Sequence, residues 1–418
     1  MKVAFLSVED DGSGSTRAAY RLHCCLKQAG IQSQMLVQSK HRDDKTVIGL
    51  PAKTGVGKIV SGSRSILDRL PLKLYSQRES TSFSPQWLPD RIGAKVAQLN
   101  PDLISLQWVN LGYLQIETLA KFKKPIVWTL RDMWAFTGGC HYNGECDRYT
   151  KSCGACPQLH SQRDADLSRW IWQRKAKAWK EVDLTIVALS SWLGDCAAAS
   201  SLFGDRRVEV IPNGIDTDTY RPIDRQTARA LLNLPPDKRL ILFGAVNAAS
   251  DKRKGFHLLQ PALQSLRQML SSNDVELVIF GASKPENPPD LGFTTRYLGT
   301  WNDDLSLALL YSAADVFVAP SVQENLANTV LEALACGLPC VAFKIGGMPD
   351  LIEHQYNGYL AKPYHVEDLT QGMLWILENA ERHQKLSNAA RQKIEAEFTM
   401  KATGTKYLSL FTELLENQ

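Results

Sequence analysis

The chain reads as an α/β protein of two parallel-sheet domains. Three observations carry that reading: β-branched apolar runs alternating with helical segments, a repeat of the alternation after a break near Phe203, and a length of 418 residues. A single hydrophobic core rarely extends over so long a chain. Strands bounded by turn residues and separated by helix-length segments form crossover units, which lay their strands parallel. In the first half the strands are KVAFLSV (Lys2–Val8), SQMLVQ (Ser33–Gln38), DLISLQW (Asp102–Trp108), PIVWTL (Pro125–Leu130) and LTIVALS (Leu184–Ser190). In the second they are RLILFGAV (Arg239–Val246), VELVIFG (Val275–Gly281), TRYLG (Thr295–Gly299), DVFVAPS (Asp315–Ser321) and PCVAF (Pro339–Phe343). The expected domains are 1–203 and 208–395, with a terminal helix in 396–418, and VEVIPNGIDTDTYRP (Val208–Pro222) is a strand running into a hinge.

With 44% hydrophobic and 22% charged residues the composition is globular and argues against disorder. A net charge of +4 is too mild to imply a nucleic-acid partner. The opening MKVAFLSVEDDGSG has an apolar run too short for a signal peptide or a membrane span, and no later run is long enough to span. A cytoplasmic location is the expectation.

The chemistry concentrates in PSVQENLANTVLEALACGLPCVAFKIGG (Pro320–Gly347), which holds Glu324 and Glu332 eight residues apart around a helix start. Leu331 to Cys336 has helical apolar spacing, Asn325 or Asn328 can cap its start, Gly337 suits a left-handed end, and Pro339 forbids continuation. With a strand on either side, this is a β-loop-α-β unit. Such units bind ligands at the carboxyl ends of their strands, where a helix N-terminus meets anionic phosphate. Both carboxylates can face that crevice with the amides of Asn325, Leu326 and Ala327. Carboxylates accept hydrogen bonds from the paired hydroxyls of ribose and hexose. Taken alone, the two Glu residues also fit solvent-facing charges beside a buried helix. In SDKRKGF (Ser250–Phe256), Arg253 and Lys254 sit beside Gly255 at a strand end, where they can reach a leaving diphosphate. The same cluster fits a solvated turn.

The pattern PS-x2-E-x7-EA-x-A-x-G-x-P-x-V, followed by GGMPDLIEHQYNGYL (Gly346–Leu360), resembles the signature of the retaining glycosyltransferases of family 4. The resemblance spans nearly the whole chain. It implies a GT-B fold, two Rossmann-like domains facing a cleft, with the last helix (about Met400 to Leu415) crossing back onto the first. It implies that Glu324 holds donor-sugar hydroxyls, that Glu332 holds the ribose, and that Lys254-Gly255 binds the diphosphate. Backbone near Gly281 and Leu298–Gly299 would contact the base. The family's usual Arg six residues before Lys254 is Ala248 here, so Arg253 or Lys252 takes that role. The first glycine-rich loop, DDGSGST (Asp10–Thr16), is by itself compatible with a tight turn. The resemblance puts Gly12 on the acceptor side and Gly14 near the diphosphate.

In TLRDMWAFTGGCHYNGECDRYTKSCGACPQL (Thr129–Leu159) a subset of the family carries His-Asp-Met-Trp, and here the His is Arg131. Arg131 is expected to bind an anionic acceptor or donor. Asp132 either orients the acceptor hydroxyl and accepts its proton, or caps the loop. Within this Cys-rich loop (137–158), Cys140, Cys146, Cys153 and Cys156 hold four of the nine cysteines in seventeen residues. A structural Zn²⁺ site, packed free thiols or a disulfide each fit the spacing, with His141 and His160 as substitute ligands. Cys24, Cys25, Cys196, Cys336 and Cys340 read as core.

Between Lys53 and Tyr75, Val56, Ile59, Val60, Leu67 and Leu70 share one face and Lys58, Arg64 and Arg69 the other. Such a helix lies on anionic membrane or packs against the first sheet. Trp170, Trp172 and Trp179 read as packing in a long helix, and Asp164-Ala-Asp166 and Asp216-Thr-Asp218 as chance D-x-D pairs. The function these features imply is retaining transfer of a sugar from a UDP- or GDP-sugar to a hydroxyl of a saccharide or lipid-linked saccharide. It would serve polysaccharide biosynthesis and need no catalytic metal. Membrane contact would be peripheral at the inner face. The alternatives are a non-hydrolysing sugar-nucleotide epimerase and a non-catalytic nucleotide-sugar-binding partner.

Overall fold

A computed structural model describes residues 1–12, 14–50, 63–244, 251–271, 273–301 and 303–417. The chain forms two compact units, Met1–Pro212 with Thr403–Gln418, and Asn213–Ala402.

The first unit is built on strands β1 (Lys2–Glu9), β2 (Gln32–Ser39), β3 (Val47–Gly49), β4 (Leu103–Leu106), β5 (Ile126–Leu130), β6 (Leu184–Ala188) and β7 (Val208–Val210). They pair in the order β3-β2-β1-β4-β5-β6-β7, all parallel. Helices cover both faces, so the central strands are buried almost throughout and read as continuous apolar runs. On one face α1 (Gly14–Gln28) buries Ala19, Leu22 and Leu26 against Val3, Phe5, Met35 and Val37. The terminal helix, Met400–Glu416, adds Tyr407, Leu410 and Phe411 to that cluster. On the other face Trp128, Trp134, Trp179 and Phe203 meet, with Trp128 and Trp179 edge to face at 5.2 Å.

The second unit carries β8 (Arg239–Gly244), β9 (Val275–Phe280), β10 (Thr294–Tyr297), β11 (Val316–Ala319), β12 (Cys340–Phe343) and β13 (Gly358–Ala361), ordered β10-β9-β8-β11-β12-β13 and again parallel. Helix α2 (Phe256–Met269) lays Leu259, Leu263 and Leu266 on the sheet beside Ile241, Phe243 and Val275.

One expectation is corrected. The first unit closes at Pro212 and not at residue 203, because Val208–Val210 pairs with β6 as the last strand of the first sheet. That stretch was expected to open the second domain. The strand is only partly buried, so no apolar run marks which sheet it joins. Strands β3 and β13, three and four residues long, are not among those read from the sequence.

Phe411 is fully buried in the first unit. Phe411→Ala is expected to cost that unit about 3 to 5 kcal/mol, by lost transfer and by the cavity left behind. An unchanged guanidinium unfolding midpoint, followed by tryptophan fluorescence, would contradict the packing of the last helix.

Candidate active site

In a doubly wound parallel sheet the ligand crevice lies at the carboxyl ends of the strands, where the order reverses. In the second unit that point lies between β8 and β11. After β8 the chain passes through the tight turn Lys252–Lys254 into α2, and after β11 it runs from Pro320 to Ala327 into α3 (Asn328–Ala335). The two loops are joined by Val322 N–H donating to Arg253 O at 2.9 Å.

Two glycines allow this approach. Gly255 has φ 73°, and a Cβ there would lie 1.7 Å from Pro320 O. Gly346 has φ 48°, and its Cβ would lie 2.0 Å from Glu324 O. Gly347 N–H donates to that same carbonyl at 3.1 Å. Glu324 is thereby fixed by backbone from the loop after β12, while the loop after β8 reaches its carboxylate.

That carboxylate, 10% exposed, accepts from Lys254 Nζ at 2.7 Å and Arg253 Nη1 at 3.1 Å. Arg253 also donates to Gln323 O at 3.2 Å and Asp251 Oδ2 at 3.3 Å. Burial alone would raise the Glu324 carboxyl, but the Lys254 and Arg253 charges outweigh it and hold it at about 2. Glu324, Arg253 and Lys254, singled out separately in the sequence, therefore meet in one cluster, and with Asp251 its two cations are matched by two carboxylates.

Glu332 lies buried in α3 and accepts from Tyr311 Oη at 3.1 Å. Tyr311 meets Phe280 edge to face at 5.9 Å and Phe317 at 5.8 Å. Phe280 leads directly to Gly281, whose φ is 82° and whose N–H donates to Gly299 O at 2.8 Å. Leu298 N–H donates to Ile279 O at 2.8 Å. Gly281, Leu298, Glu324 and Lys254 thus share the carboxyl edge of one sheet. Sequence reasoning missed Tyr311, which sits in an apolar helix with nothing to distinguish it from core.

The helix start also differs from expectation. The cap position is Ala327, which offers no side-chain acceptor, and Asn328 Oδ1 accepts instead from Asn213 Nδ2 at 3.0 Å. Asn325, Leu326 and Ala327 form a buried bend before the helix and not its first turn. Ala248 and Ser250 lie outside the described residues.

In the first unit Gly12 has φ 111° and its N–H donates to Asp11 Oδ1 at 2.8 Å, while Gly14 opens α1. Arg131, expected to meet an anion, is 8% exposed and donates to Gln107 Oε1 at 2.7 Å. Burial draws its guanidinium down to about 10. Asp132 caps the loop: Oδ1 accepts from Trp134 N at 2.8 Å, and Oδ2 accepts from Trp108 Nε1 at 2.9 Å. His141 Nδ1 lies 2.6 Å from Oδ2, and its Nε2 lies 2.8 Å from Ser84 Oγ. With both ring nitrogens engaged, His141 is a loop-positioning group and not the substitute metal ligand it was expected to be. The D-x-D pairs serve as caps, Asp166 for the helix Leu167–Trp179 and Asp216 for the turn at Asp218 and Thr219. Of the three tryptophans, Trp179 is buried, whereas Trp170 is 43% exposed under the Arg174 guanidinium.

The fold is that of the GT-B glycosyltransferases. Sucrose-phosphate synthase from Thermosynechococcus elongatus superposes with a TM-score of 0.71 at 20% identity over all of both chains. Anabaena HepE, solved in complex with UDP and glucose, gives 0.66 at 16% identity over 99% of each. Residues 12–219 match Glycosyltransferase Family 4 and residues 224–393 match Glycosyl transferases group 1, and the chain belongs to this family. The sulfoquinovosyl transferase SQD2 of Arabidopsis thaliana is 27% identical over 367 residues, 86% of this chain and 65% of that protein. The chain spans less than two thirds of the length of the curated relatives it matches first.

Two outcomes follow from the geometry. Gly346→Ala forces the Glu324 loop to move, so nucleotide-induced thermal stabilisation should vanish; retention of the full shift would show that the loop tolerates a Cβ. Because the folded Glu324 carboxyl titrates below its ordinary 4.5, its contribution is present above pH 4.5 and is lost as pH falls towards 2. Wild type should therefore lose stability relative to Glu324→Gln only below about pH 4.5, as read by acid unfolding.

Proposed function

We propose that this protein transfers a sugar, with retention of anomeric configuration, from a nucleoside diphosphate sugar to a hydroxyl of a saccharide or lipid-linked saccharide. The reading places it in polysaccharide biosynthesis at the cytoplasmic membrane face. The observation that carries it is the convergence of Lys254 and Arg253 on Glu324 at the switch point of the second sheet.

An incoming diphosphate competes with Glu324 for both cations. Lys254 and Arg253 then neutralise the developing leaving-group charge, helped by the positive end of α3. Glu324, released from them, accepts from hydroxyls of the donor sugar, and Glu332 accepts from the ribose. The anomeric C–O bond to the diphosphate breaks as a bond to the acceptor oxygen forms on the same face. The acceptor proton passes to the departing phosphate oxygen. Charge and proton are balanced in this scheme by the chain's own groups, so it requires no catalytic divalent metal. The UDP and UDP-glucose complexes of Anabaena HepE favour a UDP-sugar as the first donor to test, ahead of GDP.

A membrane-borne acceptor is supported by residues 63–74. Ile66, Leu70 and Leu74, four residues apart, are 67%, 38% and 85% exposed, with exposed Arg69 and Lys73 between them. Protruding aliphatic side chains flanked by cations suit an anionic lipid surface. The first part of the amphipathic segment, 51–62, lies outside the described residues. Among the described residues no helix is long and apolar enough to cross a membrane.

Glu324→Gln should lower transfer, followed as release of UDP, by at least about a hundredfold. Free UDP should bind no more weakly, since the carboxylate that competes for Lys254 and Arg253 is gone. Near-intact transfer would remove Glu324 from the mechanism; an isomerised donor formed without acceptor would indicate an epimerase, and a bound donor never turned over a binding partner. Ile66→Asp with Leu74→Asp should abolish co-sedimentation with phosphatidylglycerol vesicles, and binding indifferent to anionic lipid would dispose of the membrane reading.

A further inference from the structure

The four clustered cysteines lie far along the chain from the donor-site residues, and the reaction above does not use them. Cys140, Cys146, Cys153 and Cys156, all free, line one cavity of about 20 Å³, room for one water or small ion. The core cysteines elsewhere in the chain are scattered, as Cys25, Cys336 and Cys340 are, whereas these four come together from a seventeen-residue stretch.

The backbone around them is shaped to hold sulfur. Gly138 N–H donates to Cys153 Sγ at 3.1 Å, and Leu159 N–H donates to the Cys156 carbonyl at 3.2 Å. Cys153, Gly154 and Ala155 run through φ values of 51°, 93° and 43°, a tight left-handed knuckle that turns the two cysteines of C-x2-C to one side. Gly154 is required there, because its Cβ would lie 2.4 Å from Asp164 O. Asp166 Oδ2 fixes the knuckle by accepting from Cys156 N–H at 2.7 Å.

Beside the cluster Lys175 is fully buried, its Nζ 3.5 Å above the Trp134 ring, and it donates to the carbonyls of Trp134 and Thr137, the latter at 3.0 Å, which ties the helix Leu167–Trp179 to the start of the Cys-rich loop. His160 does not line the cavity, and His141 is held by Asp132 and Ser84. As the side chains lie, no three His, Cys, Asp or Glu groups among the described residues are arranged to hold a metal ion, so binding has to draw the sulfurs inward.

We propose that Cys140, Cys146, Cys153 and Cys156 form a structural Zn²⁺ site that locks the loop carrying Asp132 and His141. Zinc replaces the thiol protons, which leave to solvent, and no oxidant is involved.

The test uses the full chain, purified under reducing conditions without chelator or a metal-affinity step. Elemental analysis should find about one zinc per chain, and Co²⁺ exchange should give the sulfur-to-metal charge-transfer band of a tetrahedral thiolate site. In the native protein Zn²⁺ should shield these four thiols from Ellman's reagent, with chelator restoring their reaction. Cys146→Ser, at a half-buried position that leaves the knuckle intact, should lower the zinc content and its retention against chelator at least tenfold. The proposal is overturned by a folded wild type that takes up no zinc from added Zn²⁺ while its four thiols react freely. It is equally overturned by disulfides within the cluster, or by zinc that persists unchanged in Cys146→Ser and in Cys153→Ser.

Discussion

The candidate site of the second unit rests on a buried carboxylate held between two cations. Removing an ion from water costs several kcal/mol, and an incoming charge repays that only at short range and in good geometry. Glu324 meets that condition because Gly255 and Gly346 let three loops approach to backbone contact, bringing Lys254 to 2.7 Å and Arg253 to 3.1 Å. Every other feature of the site is arranged around this point. The parallel order of the second sheet sends the loops after β8 and β11 to the same edge. Tyr311 then links Glu332 to Phe280 and the turn at Gly281. On the proposed reading, donor binding is an exchange of partners for Lys254 and Arg253, which here both meet Glu324.

The first unit spends its polar groups differently. Asp132, Arg131 and His141 are nearly or wholly buried and engaged with one another's neighbours: Trp108, Trp134, Gln107 and Ser84. These contacts fix the path of the loop after β5. The residue that replaces the family's His, Arg131, occupies the interior of the unit near Tyr407 of the last helix. A direct role for Asp132 in moving the acceptor's proton would have to disturb the hydrogen bonds from Trp108, Trp134 and His141.

Much of this architecture was legible in the sequence, and the reasons are physical. Buried parallel strands are continuous apolar runs, so ten of them stood out, and the helical apolar spacing of Leu331 to Cys336 with Gly337 and Pro339 marked a short helix after β11. Short strands such as β3 and β13 have no such run and were found only by their pairing, and pairing alone assigns the Val208–Val210 strand to the first sheet. The cap on α3 was misjudged because Asn328 bonds Asn213, more than a hundred residues away. Local sequence carries no trace of such a partner. Tyr311 and His141 share that fate, since each acquires its role from a tertiary contact. The Lys254–Glu324 pair was foreseen as two separate ligand contacts, and their direct bond emerges only from the loop geometry.

The central claim is that this carboxylate-cation cluster, with Glu332 beside it, is a nucleotide-sugar site. Thermal stabilisation by a panel of UDP-, GDP- and ADP-sugars, run in parallel on wild type and Glu332→Ala, addresses it most directly, since a ligand that binds only the folded state raises the melting temperature. The account predicts a shift with one nucleotide class, UDP first, that is lost in the variant. Absence of any shift in wild type, or an equal shift in both proteins, would contradict it.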